Sequence, residues 1–147
     1  MSAFSFQPTR KQNMKVKTSD LIGEQLDCAV AYCEGVCMKE DCEPYGDGSF
    51  LYSRPMYFPS REWSTGGPII HKHDIAITNK SFYYFATEMG WWGHIGLSAI
   101  GYTSVHGPTP LVAAMRALVT YTLGKEIDIK KLYEKLQYKP LDIKVES

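Results

Sequence analysis

The segment TPLVAAMRALVTYTLG, residues 109–124, constrains the fold of this chain more than any other. Leu111, Val112, Met115, Leu118, Val119 and Leu123 recur at three- and four-residue spacing, which gathers them on one stripe of an α-helix. Both ends are punctuated. The Thr109 hydroxyl can accept a bond from an unpaired N–H of the first turn, Pro110 is preset for the first helical position, and Gly124 stops the helix. An apolar stripe on a helix has to be buried against a sheet or another helix, so the rest of the chain must supply that cover.

Part of the cover is a second helix, within SDLIGEQLDCAVAYCEG. Thr18 or Ser19 can cap it, Leu21, Ile22, Leu26, Ala29, Val30 and Cys33 fall at helical spacing, and Gly35 supplies a left-handed stop. The alternation of Met14 to Lys17 just before it predicts a short strand. Beyond Gly124, EIDI reads as extended and KKLYEKLQY as a third, more polar helix ending before Pro140. Between Val36 and Gly107 the turn clusters YGDGS, TGGP, TNKS, EMGWWG and SVHGP separate short aromatic or β-branched runs. SFLYSR (49–54), PIIHKHDIAIT (68–78) and SFYYFAT (81–87) are expected as strands, and HIGLSAIGYTS (94–104) adds another. ITNKS reads as a hairpin turn in which Asn79 takes a positive φ. The order of helix, strands, helix, helix predicts an α+β fold, with two to three helices packed on one face of a mostly antiparallel sheet.

At 147 residues the chain can bury a core without disulfides or metal, and it is expected to form a single domain over residues 14–147 after a flexible extension, residues 1–13. Sixteen basic residues balance sixteen acidic ones, which argues against a nonspecific nucleic-acid binder. The local basic bias of Arg10, Lys11, Lys15 and Lys17 is confined to the N-terminal tail. No stretch approaches the roughly 20 apolar residues that cross a bilayer, and the opening MSAFSFQPTRKQ has no apolar run ahead of its charges. A cytosolic location follows as the expectation. The four cysteines, Cys28, Cys33, Cys37 and Cys42, have the spacing C-x4-C-x3-C-x4-C, which lacks the long separation between knuckles of a zinc ribbon. They read as reduced, partly buried thiols.

The densest candidate for chemistry is REWSTGGPIIHKHDI, residues 61–75. Gly66 and Gly67 can take positive φ, so their N–H groups, with the Ser64 and Thr65 hydroxyls, can cradle an anion while Trp63 stacks on a planar base. The other reading is a tight turn entering a strand, with Trp63 plugging the core. His71 and His73 fall on one face of the expected strand, where they suit a phosphate or part of a metal site, or simply a polar surface. In HGPTPLVAAMR the helix start at Thr109 offers unpaired N–H groups to an anion. Arg116, about two turns on and among apolar neighbours, needs either a bound anion or an acid such as Glu24 or Asp27. The Trp91–Trp92 pair is a further aromatic surface. No GxxxxGK[ST] loop and no G-x-S-x-G elbow is present, and no cofactor is indicated.

The stretches SDLIGEQLDCAVAYCEG, EWSTGGPII and GPTPLVAAMRALVTYTLGKEIDI, in that order, resemble the NinX-like family of small proteins of tailed bacteriophages and prophages. The resemblance runs from about Met14 to Ile129. Cys28 stands where that family usually has Trp, and His71 where it usually has Glu after Pro-Ile-Ile. The resemblance implies a phage origin, the host cytosol as location and an accessory role, without implying a reaction. Compact phage proteins of this size sequester host immune signalling nucleotides. By that analogy the candidate residues are expected to bind an anionic, nucleotide-like ligand in a non-catalytic homo-oligomer. The alternatives are an inhibitor of a host protein acting through Trp91–Trp92, or a small nucleotide-processing enzyme.

Overall fold

The computed structural model describes residues 14–36, 57–79, 90–96 and 102–137. Within them the chain runs β1 (Lys15–Lys17), a 3₁₀ turn (Thr18–Asp20), α1 (Gly23–Glu34), α2 (Trp63–His73), β2 (Ala76–Asn79), β3 (Trp91–Gly96), β4 (Tyr102–Gly107), α3 (Pro110–Leu123), β5 (Glu126–Asp128) and α4 (Ile129–Leu136). All described strand pairs are antiparallel: β1 with β5, and β2–β3–β4 in that order. The fold is α+β, as the element order predicts.

Helix α3 is the axis of the arrangement. Leu111, Val112, Ala113, Ala114, Met115, Ala117, Leu118 and Val119 are all buried, so it is covered on more sides than one stripe requires. One side lies on β3 and β4 and another packs on α1. Its approach to the sheet is set by two glycines. A Cβ on Gly93 would lie 2.5 Å from the Ala113 oxygen, and one on Gly107 would lie 2.6 Å from the Ala113 nitrogen. Side chains there would lift the helix off the strands. The predicted caps of α3 are present: the Thr109 hydroxyl accepts from the Val112 N–H at 3.1 Å, with Pro110 at the first helical position and Gly124 at the end.

Helix α1 ends at Gly35 in the left-handed conformation, as its sequence predicts, but it starts differently. Ile22 precedes its first turn without a side-chain cap. Thr18 is buried instead, donating its hydroxyl to the Gly124 carbonyl at 2.8 Å and accepting from the Thr120 hydroxyl at 2.8 Å. That network ties the 3₁₀ turn after β1 to the far end of α3.

The main correction concerns residues 63–73. These form α2, where a glycine corner and the first half of a strand are expected, and only Ala76–Asn79 are extended. Thr65, Gly66 and Ile69 are its buried residues, a helical spacing that the Gly-Gly-Pro punctuation hides. Asn79 belongs to β2 and is not among the positive-φ residues. The expected strand over 94–104 is two strands: β3 begins earlier, at Trp91, and β4 begins at Tyr102. SFLYSR, SFYYFAT, residues 1–13, Cys37 and Cys42 lie outside the described residues.

Candidate functional site

Three helices begin at one place. Ile22 and Gly23 at the start of α1, Ser60, Arg61 and Trp63 at the start of α2, and Pro108 to Val112 at the start of α3 line a single open cleft of about 470 Å³. Helix α1 and helix α2 run the same way, because their far ends are also joined. Glu34 of α1 accepts from Lys72 Nζ at 3.0 Å and lies 2.7 Å from His73 Nε2 of α2. Each helix start carries N–H groups without an intrahelical acceptor and the positive end of the peptide dipoles. The residues before α1 and α2 make no side-chain cap bond, and Glu24 places an acidic side chain in the first turn of α1. All three helices are long, at 12, 11 and 14 residues, so their fields add at the cleft.

Besides Ser60, Arg61 and Thr109, the lining side chains are apolar. Trp63 is 56% exposed, and with Pro108, Pro110 and Ile22 it frames the opening. Arg61 adds the one cationic side chain of the lining. Its guanidinium sits 4.4 Å from the centre of the Phe58 ring and 3.7 Å from Asp27 Oδ2. Asp27 is 2% exposed; its Oδ1 accepts the Ser60 N–H at 2.9 Å, which fastens the turn ahead of α2 to the second turn of α1. Burial raises the affinity of the Asp27 carboxyl for its proton, against the opposing pull of Ser60 and Arg61.

The candidate ligand residues divide accordingly. Trp63 and Thr109 face the same cleft. Thr65 and Gly66 lie behind it: a Cβ on Gly66 would overlap the Pro59 carbonyl and sit 2.7 Å from Leu111 Cδ2, so this glycine lets α2 touch α3. Neither Gly66 nor Gly67 has positive φ, and both lie in regular helix, so the pair forms no anion cradle of its own. Trp63 is exposed at the rim and plugs no core. Ser64 is exposed on α2, and His71 lies two turns farther along, about 12 Å from the cleft end. His71 and His73 share a helix, and His73 faces Glu34.

Arg116 is elsewhere too. It does not line the cleft. Its Nε donates to the Leu21 carbonyl at 2.7 Å and its Nη1 to the His106 carbonyl at 2.9 Å, a clasp between the chain before α1 and strand β4. Burial lowers its pKa, countered by the charge of Asp20. Trp91 and Trp92 are half-buried on β3, with Trp92 edge-on to His106 at 5.4 Å between ring centres. Cys28 is fully buried, and burial pushes the Cys33 thiol up to about 12, where it is no nucleophile at neutral pH. Among the described residues no three His, Cys, Asp or Glu side chains are grouped to hold a metal ion, and no helix is long and apolar enough to cross a membrane. Sequence reading missed Ile22, Gly23, Ser60 and Arg61. Only Arg61 left a signal, two residues ahead of Trp63; the others reach the cleft through tertiary packing alone.

Fold and site together define a small α+β protein whose three main helices start at one cleft. The family model described as Bacteriophage P22, NinX matches residues 17–121, most of the chain and all of that cleft, and the protein belongs to this family. It is on that ground a bacteriophage accessory protein. Comparison with curated proteins gives no match.

Proposed function

We propose that the protein binds a small anionic, nucleotide-like ligand at the helix-start cleft and thereby withholds it in the host cytosol. The observation that carries this reading is the meeting of the starts of α1, α2 and α3 around Arg61 and exposed Trp63. Helix starts and a guanidinium suit phosphate oxygens, which accept from N–H donors and favour positive potential. Trp63 and the prolines at 108 and 110 present flat apolar surfaces to a base. The cleft volume lies within the range of small-molecule sites. Arg61 already stands over Phe58, so little side-chain freedom is lost when it engages an anion. The set contains no nucleophile–base pair, and sequestration fits it better than turnover.

Isothermal titration of the full chain against cyclic dinucleotides, ADP-ribose derivatives and mononucleotides tests the reading. At least one class gives a saturable heat, and Arg61→Gln and Trp63→Ala each weaken it at least about tenfold, the loss of one charge-assisted or stacking contact. Absence of heat from every class, or binding indifferent to both substitutions, ends it.

A further inference from the structure

The sheet has a second face, and its polar residues form a hydrogen-bonded row. Gly93, Ile95, Val105 and Gly107 are buried towards α3. Alternation along the strands therefore puts Thr78, Trp92, His94, Ser104 and His106 on the opposite face. His94 and Ser104 are directly paired across β3 and β4. His94 Nδ1 is 2.8 Å from Ser104 Oγ, and its Nε2 is 3.0 Å from Thr78 Oγ1. Partial burial lowers the affinity of His94 for a second proton, so the ring is neutral at physiological pH, with one N–H and one bare nitrogen. In the tautomer where Nε2–H donates to Thr78, Nδ1 is the bare nitrogen and accepts from Ser104. The exposed serine then rests against a base whose orientation a third group fixes.

Ser104 also lines a groove of about 1080 Å³ that is separate from the helix-start cleft. One wall is Thr103 to Val105 of the edge strand β4; the other is Lys17 to Ser19, Thr120 of α3 and Gly124 to Glu126. That far wall is braced by the Thr18 N–H donating to the Lys125 carbonyl at 2.9 Å and by the Thr18–Gly124 bond. It carries two ammonium groups, Lys17 and Lys125, against the single carboxylate of Glu126.

We propose that Ser104 is a nucleophile, activated by His94 and Thr78, that reacts with acyl esters carrying negative charge. Ser104 Oγ bonds to the acyl carbon while its proton passes to His94 Nδ1. The bond from that carbon to the leaving oxygen breaks, and the leaving group takes the proton from Nδ1. Water then attacks the acyl-serine by the same route, releasing a carboxylic acid and restoring Ser104. The lysines of the far wall hold the negative group of the substrate.

The test uses the full chain and a fluorophosphonate, which forms an Oγ–P bond with loss of fluoride, followed by intact mass and peptide mapping. One adduct forms on Ser104 and is absent in Ser104→Ala. His94→Gln slows labelling at least about 100-fold, the share of a positioned base, and Thr78→Val slows it several-fold. The wild-type rate rises as His94 loses its proton and is flat above that step. His106 is the other titratable side chain on this face among the described residues, and His106→Gln leaves the profile unchanged. No adduct, an adduct on another residue, or a rate indifferent to His94→Gln overturns the proposal. If His94→Gln fails to fold by circular dichroism, the wild-type profile decides: a rate that keeps climbing in proportion to hydroxide through neutral pH overturns it. The mono-p-nitrophenyl ester of succinic acid is cleaved faster than p-nitrophenyl acetate, and Lys17→Ala with Lys125→Ala removes the preference. Equal rates in the wild type overturn the anionic class.

Discussion

Helices α2 and α3 begin at the same cleft and are built on opposite principles. Helix α3 is capped by Thr109, preset by Pro110 and buried along most of its length. Helix α2 starts after Glu62 without a side-chain cap, leads with an exposed Trp63, carries Pro68 in its interior and buries only Thr65, Gly66 and Ile69. Pro68 has no N–H to give to the carbonyl four residues earlier, that of Ser64. The first helix therefore holds the molecule together, and the second is held in place by it. Substitutions on α3 should act on stability, and substitutions on the outer side of α2 should act on binding.

The neighbouring glycines of α2 give the sharpest way to break that contrast. Gly66→Ala puts a methyl into the Pro59 carbonyl and against Leu111, and neither has room to yield without moving α2 from α3. Despite the roughly 1 kcal/mol by which a helix interior prefers alanine, the net loss is about 2–3 kcal/mol, typical of overpacking. Gly67→Ala meets nothing within 4 Å. It keeps the full propensity gain of up to about 1 kcal/mol. Urea denaturation of the two variants is the measurement. If both stabilise, α2 does not rest on α3 and the cleft loses one of its walls.

A smaller effect separates the two helix starts. Thr109→Ala leaves the Val112 N–H without its acceptor and costs about 1 kcal/mol. Trp63→Ala, at an exposed position on an uncapped turn, changes stability by less than about 0.5 kcal/mol. The ligand titration reverses the ranking, with Trp63→Ala the more damaging. A stability loss from Trp63→Ala equal to that from Thr109→Ala would make Trp63 a structural plug after all.

The contrast also explains what could be read from the amino-acid sequence. Helix α3 was legible because its apolar period, cap, Pro and Gly all agree, and α1 because its period and Gly35 agree. Helix α2 was not, because its turn-forming residues do different work in place. Gly66 is a packing contact, Gly67 is incidental, and Pro68 is tolerated in the interior of a helix that tertiary contacts hold. Trp63 and Thr109 could be picked as candidates, yet nothing local says that Ile22, 41 positions before Trp63 in the chain, shares their cleft. Arg116 shows the same limit. A half-buried guanidinium needs acceptors, and sequence distance alone does not distinguish a carboxylate from the Leu21 and His106 carbonyls that serve. The His94–Ser104 pair needed the register of β3 and β4, whose joining residues 97–101 look in sequence like part of one strand.

The smallest effect tests how α2 is fastened to α1. Asp27 is buried, and desolvation raises its pKa above the ordinary aspartate value despite the Ser60 N–H and the Arg61 charge. A raised folded-state pKa means that the folded protein holds this proton more tightly than the unfolded chain does. Between the ordinary value and the raised one, stability falls as pH rises; the favourable contribution is complete below that window and gone above it. Asp27→Asn keeps an oxygen to accept from Ser60 and removes the ionisation. The variant therefore gains stability relative to wild type as pH increases through the window, and the difference is level at neutral pH. Thermal unfolding of both proteins between about pH 3 and 7, the range of perturbed carboxylates, measures it. A difference that slopes the other way would mean that Arg61 and Ser60 outweigh burial. Asp27 would then be a charge-stabilised anchor, and Arg61 would be tied down where the cleft needs it available.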